Sequence, residues 1–542
     1  MEMHYATIME ALAERLAARD ALVFGETRLS WAELDERAAR LAGAMQHAGI
    51  EPGDRVGLFL YNCCEYMEAM LAALKIRAVP ININFRYTGA ELRYLMEDSG
   101  AAMLIYHESL RAAVDEGVVG QVPLKLTLEV SDLNSASGTS GYEEALRSAD
   151  PAPRISRDEA DAFMLYTGGT TGMPKGVVYE IGIMTAALGN LIAQYFNLPH
   201  ALTAQQIVDR AVDLNERGET FVSLPASPLM HTAGVMNGGI AMQLLGGRMV
   251  ILTGRSFDAD ELWGTVDRES VNYMVIVGDA FARPMLEAFD AAVEKGKPYD
   301  ISAMKAIVSS GVMWSAASKR RLLELADMML IDGMGATEGP MAAQISTRAN
   351  PPAESAHFQA LPDTKLFDEN DQEIAPGSGR QGFIAIGSAM LPTGYFGDEK
   401  KTAETFRTID GHRYGFTGDM GVLEADGTLT FLGRGSGCIN TAGEKVYPEE
   451  VEECLKQHPL IDDCLVVGLP DDRFGQIVAA VVAFKQPVAD AAAEVASYCD
   501  GLLARYKLPR TVVAVENIHR GPNGKPDLKW ARAIAEKDRR AS

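Results

Sequence analysis

The feature that most constrains the fold is a repeated alternation of short apolar runs with longer amphipathic segments. Within residues 7–110, residues 31–49 have the period of an amphipathic helix with Ser30 as its N-cap, and residues 55–60 form a short apolar run. The same alternation recurs within residues 220–330, where we expect buried strands at 249–252, 273–277 and 306–308. This βαβ pattern predicts an α/β protein with layered, mostly parallel sheets and helices on their faces.

The pattern changes from about residue 365. Short alternating runs separated by Asp-Gly turns, such as the one at 426–427, predict antiparallel β structure. A second, smaller α+β unit is predicted after Arg434, where Pro448 has the position of a first helical residue. Since 542 residues exceed one ordinary core, we expect a large N-terminal domain with a β-rich subdomain at residues 1–434. Residues 435–542 are expected to form a small mobile C-terminal domain.

Composition excludes several classes of partner and location. The chain is 47% hydrophobic and 23% charged, as in an ordinary globular protein, and its formal net charge of −24 argues against nucleic acid or an anionic membrane as the main partner. None of the six cysteines forms a Cys-x-x-Cys pair, which favours reduced thiols. No leader segment and no long apolar run is recognised, so the prediction is a cytoplasmic protein without integral membrane association.

One run predicts a phosphate-binding loop. The sequence Tyr166-Thr-Gly-Gly-Thr-Thr-Gly-Met-Pro-Lys-Gly176 follows an apolar segment and combines glycines, threonine hydroxyls and one lysine. Glycine lets backbone N–H groups approach an anion, threonine adds donors and lysine adds a mobile positive charge. The spacing is not that of a Walker A loop, because Lys175 is followed by glycine. The alternative is a Gly/Thr-rich surface turn.

This loop and five later stretches together resemble the adenylate-forming superfamily, which includes acyl-CoA synthetases, luciferases and adenylation domains. The five stretches occur in the same order as in that family, over some 360 residues. They are Pro228-Leu-Met-His231, Ser309-Ser-Gly-Val312, Asp332-Gly-Met-Gly-Ala-Thr-Glu338, Tyr414-Gly-Phe-Thr-Gly-Asp419 and Gly521-Pro-Asn-Gly-Lys525. The resemblance implies an enzyme that activates a small carboxylic acid with ATP and Mg²⁺ and passes the acyl group to coenzyme A.

The resemblance also implies a role for each matching residue. Glu338 would hold Mg²⁺, Thr337 and Lys525 would act at the α-phosphate, and His231 would line the acyl pocket. Because a carboxylate must attack a phosphate, the site has to neutralise charge. The ATP-binding residues implied are Thr167, Gly168, Gly169, Thr170, Thr171, Gly172, Lys175, Ser310, Gly311, Val312, Asp332, Gly333, Met334, Gly335, Thr337, Asp419, Arg434 and Lys525. Four of these residues have a structural alternative: His231 as a core histidine, Glu338 as an exposed carboxylate at a helix start, Asp419 as a turn former and Lys525 as a solvated charge.

The C-terminal unit resembles the part of coenzyme A ligases that swings after adenylation. The loop with Gly443, Glu444 and Lys445 resembles the one that lines the tunnel for the CoA thiol, and a missing side chain at Gly443 permits close approach. The hinge position is Ser436 where the family usually has Asp or Lys. With Met334 in place of an aromatic residue, this departure resembles bacterial fatty-acyl and steroid-side-chain CoA ligases.

The acyl substrate and the thiol acceptor stay open at this point. No charged residue that could bind a polar distal group is evident, so an apolar acyl tail is expected, in a pocket that methionines could shape. These methionines are Met230, Met236, Met242, Met313 and Met334, which ordinary core packing also explains. The alternatives to CoA ligation are an adenylation enzyme that loads a carrier protein and a non-catalytic nucleotide-binding regulator. The oligomeric state is likewise open, with a homodimer as one alternative.

Overall fold

The structure is a computed structural model, and it describes most of the chain. The described residues are 1–132, 141–167, 174–311, 314–352, 357–434, 437, 439–441, 444–471, 475–500, 502–503, 505–520 and 526–541. They form two compact units. The first consists of Met1–Gly339, Ile345–Pro352 and Ser388–Phe406, and the second of Pro340–Gln344, Ala353–Gly387 and Arg407–Ser542.

Helices occur along the whole described chain, and they alternate with strands over its first two thirds. The helices are α1 (Tyr5–Arg15), α2 (Trp31–His47), α3 (Cys64–Lys75), α4 (Gly89–Ser99), α5 (Arg111–Gly117), α6 (Gly141–Ser148), α7 (Ile181–Leu191), α8 (Ala204–Glu216), α9 (Ala241–Gln243), α10 (Ala259–Glu269), α11 (Gly278–Glu294), α12 (Ala316–Leu325), α13 (Glu399–Thr405), α14 (Pro448–Lys456), α15 (Ala491–Cys499) and α16 (Leu528–Ala541). A π-helix covers Ala233–Ile240, and short 3₁₀ helices cover Glu108–Leu110, Ala193–Phe196 and Arg505–Lys507.

The strands become denser after residue 329. They are β1 (Asp20–Phe24), β2 (Thr27–Ser30), β3 (Arg55–Phe59), β4 (Val79–Asn82), β5 (Ala101–His107), β6 (Leu126–Val130), β7 (Ala162–Thr167), β8 (Lys175–Glu180), β9 (Val222–Pro225), β10 (Arg248–Ile251), β11 (Tyr273–Ile276), β12 (Ala306–Ser310), β13 (Met329–Ala336), β14 (Gly339–Ser346), β15 (His357–Ala360), β16 (Lys365–Phe367), β17 (Gln381–Ile386), β18 (Gly394–Tyr395), β19 (Phe406–Ile409), β20 (His412–Leu423), β21 (Thr428–Arg434), β22 (Ile439–Thr441), β23 (Glu444–Val446), β24 (Ile461–Asp471), β25 (Gly475–Phe484) and β26 (Thr511–Val515).

Two mainly parallel arrays of strands build the first unit. One has the order β18-β8-β7-β4-β3-β5-β6, in which β7, β4, β3, β5 and β6 run parallel and β8 returns antiparallel to β7. The other runs β13-β12-β11-β9-β10-β1-β2, parallel except for the β1–β2 hairpin. Because parallel strands end on the same side of a sheet, the residues that follow them gather along one edge, where α/β proteins bind ligands.

The core of the first unit explains why α3 is apolar on nearly every side. Along Cys64–Lys75 all side chains except Glu65 are buried, and they pack in one cluster with residues of both arrays. Helices on the outside begin at defined caps instead. Ser30 and Thr88 accept backbone hydrogen bonds from Glu33 and Glu91, whose carboxylates return to the cap backbone. These capping boxes stabilise the starts of α2 and α4.

The second unit is antiparallel in its first part and α+β in its second. Strands β16-β17-β20-β21-β15 pair antiparallel in that order. The C-terminal part is a sheet of order β23-β22-β25-β24 in which β26 pairs parallel to β25, with α14, α15 and α16 around it. Tyr447, at the start of α14, is buried against Met420 and Leu432 of the antiparallel part.

The predicted α/β class is therefore confirmed, including the parallel arrays, the β-rich part and the smaller α+β part. Strands lie where they were expected near 249–252, 273–277 and 306–308, and Ser30 and Pro448 have the predicted positions at helix starts. The division at residues 434 and 435 stays a prediction. Within the described residues, no helix combines the length and apolar character needed to cross a membrane.

Candidate active site

The two strands that flank the predicted phosphate loop form a hairpin. Thr167 at the end of β7 pairs with Lys175 at the start of β8, so the strand pairing extends to both ends of the predicted loop. Of the predicted loop residues, Gly168, Gly169, Thr170, Thr171 and Gly172 lie outside the described residues. The structure describes the two strand ends that anchor this loop, which we call the loop frame.

Asn82, the last residue of β4, fixes the first end. Its side chain is 8% exposed and makes three hydrogen bonds: Nδ2 donates to the carbonyl oxygens of Tyr166 (3.0 Å) and Met230 (2.5 Å), and Oδ1 accepts from the N–H of Tyr166 (2.6 Å). One buried amide thus joins the phosphate hairpin to the residue before His231. Since every polar atom of this amide has a backbone partner, the two segments hold a fixed separation.

Helix α4 supports both ends of the loop from one side. The Tyr166 hydroxyl donates to Asp98 Oδ2 (2.7 Å), and the Tyr94 hydroxyl donates to the carbonyl oxygen of Pro174 (3.4 Å). Burial, followed by the hydrogen bond to Asp98, raises the pKa of Tyr166. The phenol therefore stays protonated and acts as a hydrogen-bond donor at physiological pH.

Lys175 has a carboxylate partner within the first unit. Its Nζ donates to Asp398 Oδ2 at 2.6 Å and lies 5.6 Å from the centre of the Tyr395 ring. The hydrogen bond from Lys175 lowers the pKa of Asp398, so this carboxyl is ionised at neutral pH. The pair is partly exposed, with 41% of the lysine and 36% of the aspartate side chain accessible to solvent.

Glu338 is held by the same short strand. The Tyr395 hydroxyl donates to Glu338 Oε1 at 2.5 Å, and β18 itself pairs with β8 through Tyr395 and Val177. In addition, the buried Tyr179 of β8 donates to the carbonyl oxygen of Thr337. The predicted catalytic pair Thr337 and Glu338 is therefore fastened to the phosphate hairpin by two tyrosines.

The single carboxylate of Glu338 fits a magnesium site in which phosphate oxygens of the substrate and water supply the other ligands. Mg²⁺ keeps several waters and is usually bound by one or two carboxylates together with phosphate oxygens, so no protein cage is needed. Among the described residues, no group of three His, Cys, Asp or Glu side chains could hold a metal ion by itself. The half-buried Glu338 offers one oxygen beyond the one bound to Tyr395.

The predicted ATP-binding residues Ser310 and Gly311 lie at the carboxyl end of β12, beside the middle of β13. Ser309 pairs with Asp332 and Ser310 with Gly333, and Gly311 has a φ of +90°, which favours glycine. The Ser309 hydroxyl accepts the N–H of Gly278 at 2.8 Å. Val312 lies outside the described residues, whereas Met334 is half-buried and Gly335 exposed.

Asp332 is enclosed rather than open to solvent. It is 4% exposed, and Lys319 Nζ, from a side chain that is 1% exposed, donates to its Oδ2 at 2.5 Å. Burial raises the pKa of Asp332 to about 6, although the charge of Lys319 acts in the opposite direction. This ion pair fixes Asp332 in the middle of β13, the strand that leads to Thr337 and Glu338.

His231 leads into an unusual helix. It is half-buried between β9 and the π-helix, and its carbonyl oxygen accepts from the N–H of Val235 in the first turn of that helix. A Cβ on Gly234 would lie 2.2 Å from the carbonyl oxygen of Pro228, and one on Gly238 would lie 2.6 Å from Pro225 Cβ. The wide π-turn thus packs backbone against backbone, and π-helical segments are frequent at functional sites.

Asp419 belongs to the second unit. It is 6% exposed, lies in the middle of β20 after Gly418 (φ +86°), and accepts a hydrogen bond from the Thr417 hydroxyl. In the strand register it stands opposite Arg434 of β21. Asp419 and Arg434, both predicted to bind ATP, therefore lie opposite one another on two paired strands. Asp419 is thus part of a strand pair and not only of a turn.

Several predicted residues cannot be placed. Beyond the loop residues and Val312, the positions outside the described residues are Ser436, Gly443 and Lys525, and the side chains of Arg434, Glu444 and Lys445 are not described. Conversely, sequence reasoning assigned no role to Asn82, Tyr179, Lys319, Tyr395 or Asp398. A signal existed for one of them, because the polar Asn82 ends an otherwise apolar strand.

Comparison with known proteins agrees with this architecture. The family model described as AMP-binding enzyme matches residues 9–396, and that described as AMP-binding enzyme C-terminal domain matches residues 450–525. An anthranilate CoA ligase solved with anthranoyl-AMP has a TM-score of 0.82 at 21% identity, covering 99% of this chain and 98% of that one. ATP-bound MatB from Rhodopseudomonas palustris has a TM-score of 0.81 at 23% identity, covering 97% and 98%. These structures establish the shared fold.

Curated relatives are closer in sequence. A 3-oxocholest-4-en-26-oate–CoA ligase from Rhodococcus rhodochrous is 38% identical, over 98% of this chain and 96% of the relative. A medium/long-chain-fatty-acid–CoA/3-oxocholest-4-en-26-oate–CoA ligase from Mycobacterium marinum is 36% identical, over 98% and 97%. The chain belongs to the AMP-binding enzyme family, and the predicted resemblance is confirmed. Its class is that of an ATP-dependent, AMP-forming acid–thiol ligase that uses CoA.

Proposed function

We propose that this chain joins a medium- or long-chain fatty acid, or the side-chain carboxylate of a steroid acid, to CoA. Support comes from full-length relatives at 36–38% identity whose names state these substrates. The structural observation that carries the proposal is the Lys175–Tyr395–Glu338 cluster. It links one cation suited to a triphosphate with one carboxylate suited to Mg²⁺ at the end of a phosphate-loop hairpin.

The first half-reaction is attack of a substrate carboxylate oxygen on the α-phosphorus of ATP. The new P–O bond gives acyl-AMP, and the bond to the leaving pyrophosphate breaks. Lys175 and the phosphate-loop amides bind the β- and γ-phosphates, while Thr337 and Lys525 contact the α-phosphate, where negative charge develops. Glu338 would hold Mg²⁺, which would neutralise negative charge on the phosphates. Asp419 accepts hydrogen bonds from the ribose hydroxyls.

The second half-reaction is attack of the CoA sulfur on the acyl carbonyl carbon. The thiol proton is lost, AMP leaves with the carboxylate oxygen, and the thioester remains. In this proposal residues 435–542 form the mobile domain that rotates about Ser436. The rotation withdraws Lys525 and brings Gly443, Glu444 and Lys445 to the pantetheine arm. The larger part, residues 1–434, keeps the acyl, ATP and metal-binding residues.

An apolar acyl tail agrees with the side chains after β9. Met230, Met236 and Met242 are at most 2% exposed, and the segment from Pro228 to the end of the π-helix contains no Asp, Glu, Lys or Arg. Methionine adapts its shape at little cost, which suits a pocket for long or bulky apolar acids. Met313 lies outside the described residues. A cytoplasmic location and a homodimer stay predictions, and light scattering on the purified protein measures the second.

The test is pyrophosphate release with a panel of short, medium-chain, long-chain, aryl and steroid-side-chain acids, with and without CoA. We expect turnover only with medium-chain, long-chain or steroid acids, and thioester formation only when CoA is present. Release that CoA does not affect would identify another acceptor, such as a carrier protein. A preference for short polar acids would contradict the apolar pocket. No pyrophosphate release with any acid would favour the non-catalytic regulator.

A further inference from the structure

Asp398, the partner of Lys175, is itself fixed by a helix. It is the N-cap of α13, where Oδ1 accepts from the N–H of Lys401 at 2.9 Å. Its other oxygen, Oδ2, accepts from Lys175 Nζ at 2.6 Å. The Thr402 hydroxyl tightens the same turn by donating to the Asp398 carbonyl oxygen at 2.8 Å. The carboxylate therefore stands in a preformed position and does not follow the lysine as a free side chain would.

Tyr395 contacts both Lys175 and Glu338. Its ring lies 5.6 Å from the ammonium, and its hydroxyl donates to Glu338 Oε1 at 2.5 Å. Lys175 and Glu338 carry opposite charges, which attract one another at short range. Each has a separate partner instead, and both partners come from one short segment, residues 395–398. The segment is held in place by the pairing of β18 with β8.

We propose that Asp398 is a positioning residue that holds Lys175 until the triphosphate of ATP replaces it, and that takes the lysine back when pyrophosphate leaves. The inference rests on the assignment of Lys175 to the triphosphate under Proposed function. A lysine ammonium is a compact charge, so carboxylate and phosphate compete for it. The partial exposure of the pair makes the exchange inexpensive, because exposed ion pairs stabilise only weakly.

The competition predicts a change of defined sign in two ligand affinities. Without the Asp398 charge, MgATP and pyrophosphate should both bind about 2- to 5-fold more tightly, as expected for loss of one exposed ion pair. The affinities for both ligands should increase by a similar factor, because each ligand must displace the same carboxylate. Because the product then binds more tightly, pyrophosphate should also become a stronger inhibitor by that factor.

Asp398→Asn is the appropriate variant, because asparagine caps a helix as well as aspartate and has the same shape. Dissociation constants for MgATP and for pyrophosphate would be measured by titration calorimetry in the absence of acid and CoA. Glu399→Gln is the matched control, since it removes the same charge one residue further along α13. Should Asp398→Asn fail to fold, Asp398→Ser keeps a capping hydroxyl and removes the charge.

The decisive step is a double-mutant cycle with Lys175→Met. We expect the gain from Asp398→Asn to disappear when Lys175 is absent. Unchanged or weaker ligand binding in Asp398→Asn would overturn the proposal, and so would an equal gain in Glu399→Gln or a gain that persists with Lys175→Met. If the ligase proposal is wrong, the result is different: no acid gives pyrophosphate release, while these binding changes remain.

Discussion

Replacing Asn82 by alanine removes the side chain that joins the phosphate hairpin to the segment before His231. Three backbone groups lose their partner: the N–H and carbonyl oxygen of Tyr166 and the carbonyl oxygen of Met230. At about 1 kcal/mol net for each hydrogen bond, the loss amounts to about 3 kcal/mol of unfolding free energy. This is a large part of the roughly 5–15 kcal/mol that stabilises a folded domain. We also expect kcat/KM for ATP to fall at least about 10-fold, because the phosphate hairpin is no longer held at a fixed distance from the segment before His231.

Asn190→Ala is a matched control for this prediction. Asn190 of α7 donates to the carbonyl oxygens of Ala186 (3.0 Å) and Ala201 (2.9 Å) and accepts from the N–H of Ala201 (2.9 Å), outside the loop frame. Its Oδ1 also accepts from Arg210 Nη1 at 3.2 Å, so the variant removes one hydrogen bond more than Asn82→Ala does. Urea unfolding followed by circular dichroism measures the stability of both variants, and steady-state pyrophosphate release measures kcat and KM. If the two variants lose stability and activity in the same proportion, Asn82 has only a structural role and the reasoning is refuted.

Three further predictions follow from the described side chains and the proposed roles. Tyr395→Phe keeps the ring over Lys175 and removes the hydroxyl from Glu338, so we expect the KM for MgATP to change by about 2- to 10-fold with little change in thermal stability; an unaltered KM would contradict it. His4 is buried and its pKa is lowered to about 4 by that burial, so stability present above pH 6.5 should be lost between pH 6.5 and 4 by about 3 kcal/mol. His4→Asn, which keeps a helix cap, should flatten that pH profile in urea titrations. Lys525→Ala should abolish adenylation yet largely spare thioester formation from supplied acyl-AMP, and Gly443→Leu should do the reverse; equal loss of both steps would contradict the two-conformation assignment.

The sequence predicts what depends on local pattern. Ser30 begins α2 because a serine precedes an amphipathic run, and its capping box with Glu33 is also a local signal. The buried strand that begins at Ala306 was found for the same kind of reason, because an apolar run between polar turns leaves few alternatives. The candidate site was identified through ordered motifs, each of which is short and continuous in the chain.

The partners of those motifs could not be predicted in this way. Asp398 lies 223 residues beyond Lys175 in the chain, and nothing local indicates that β18 returns to pair with β8. Lys319 would be read as one more charge on an exposed helix, yet it is 1% exposed and bound to Asp332. Such pairings depend on tertiary packing, which overrides the surface pattern of a single helix. They also decide how each motif residue is oriented.

The pairing of β18 with β8 has a consequence for synthesis of the chain on the ribosome. Lys175 is made 223 residues before Asp398. At roughly 5–20 residues per second, the edge of β8 therefore waits about 11–45 s for the strand that covers it. During that time the hairpin presents unpaired backbone groups, which invite association with other chains. A pause in translation between residues 180 and 394 would lengthen this exposure of the β8 edge.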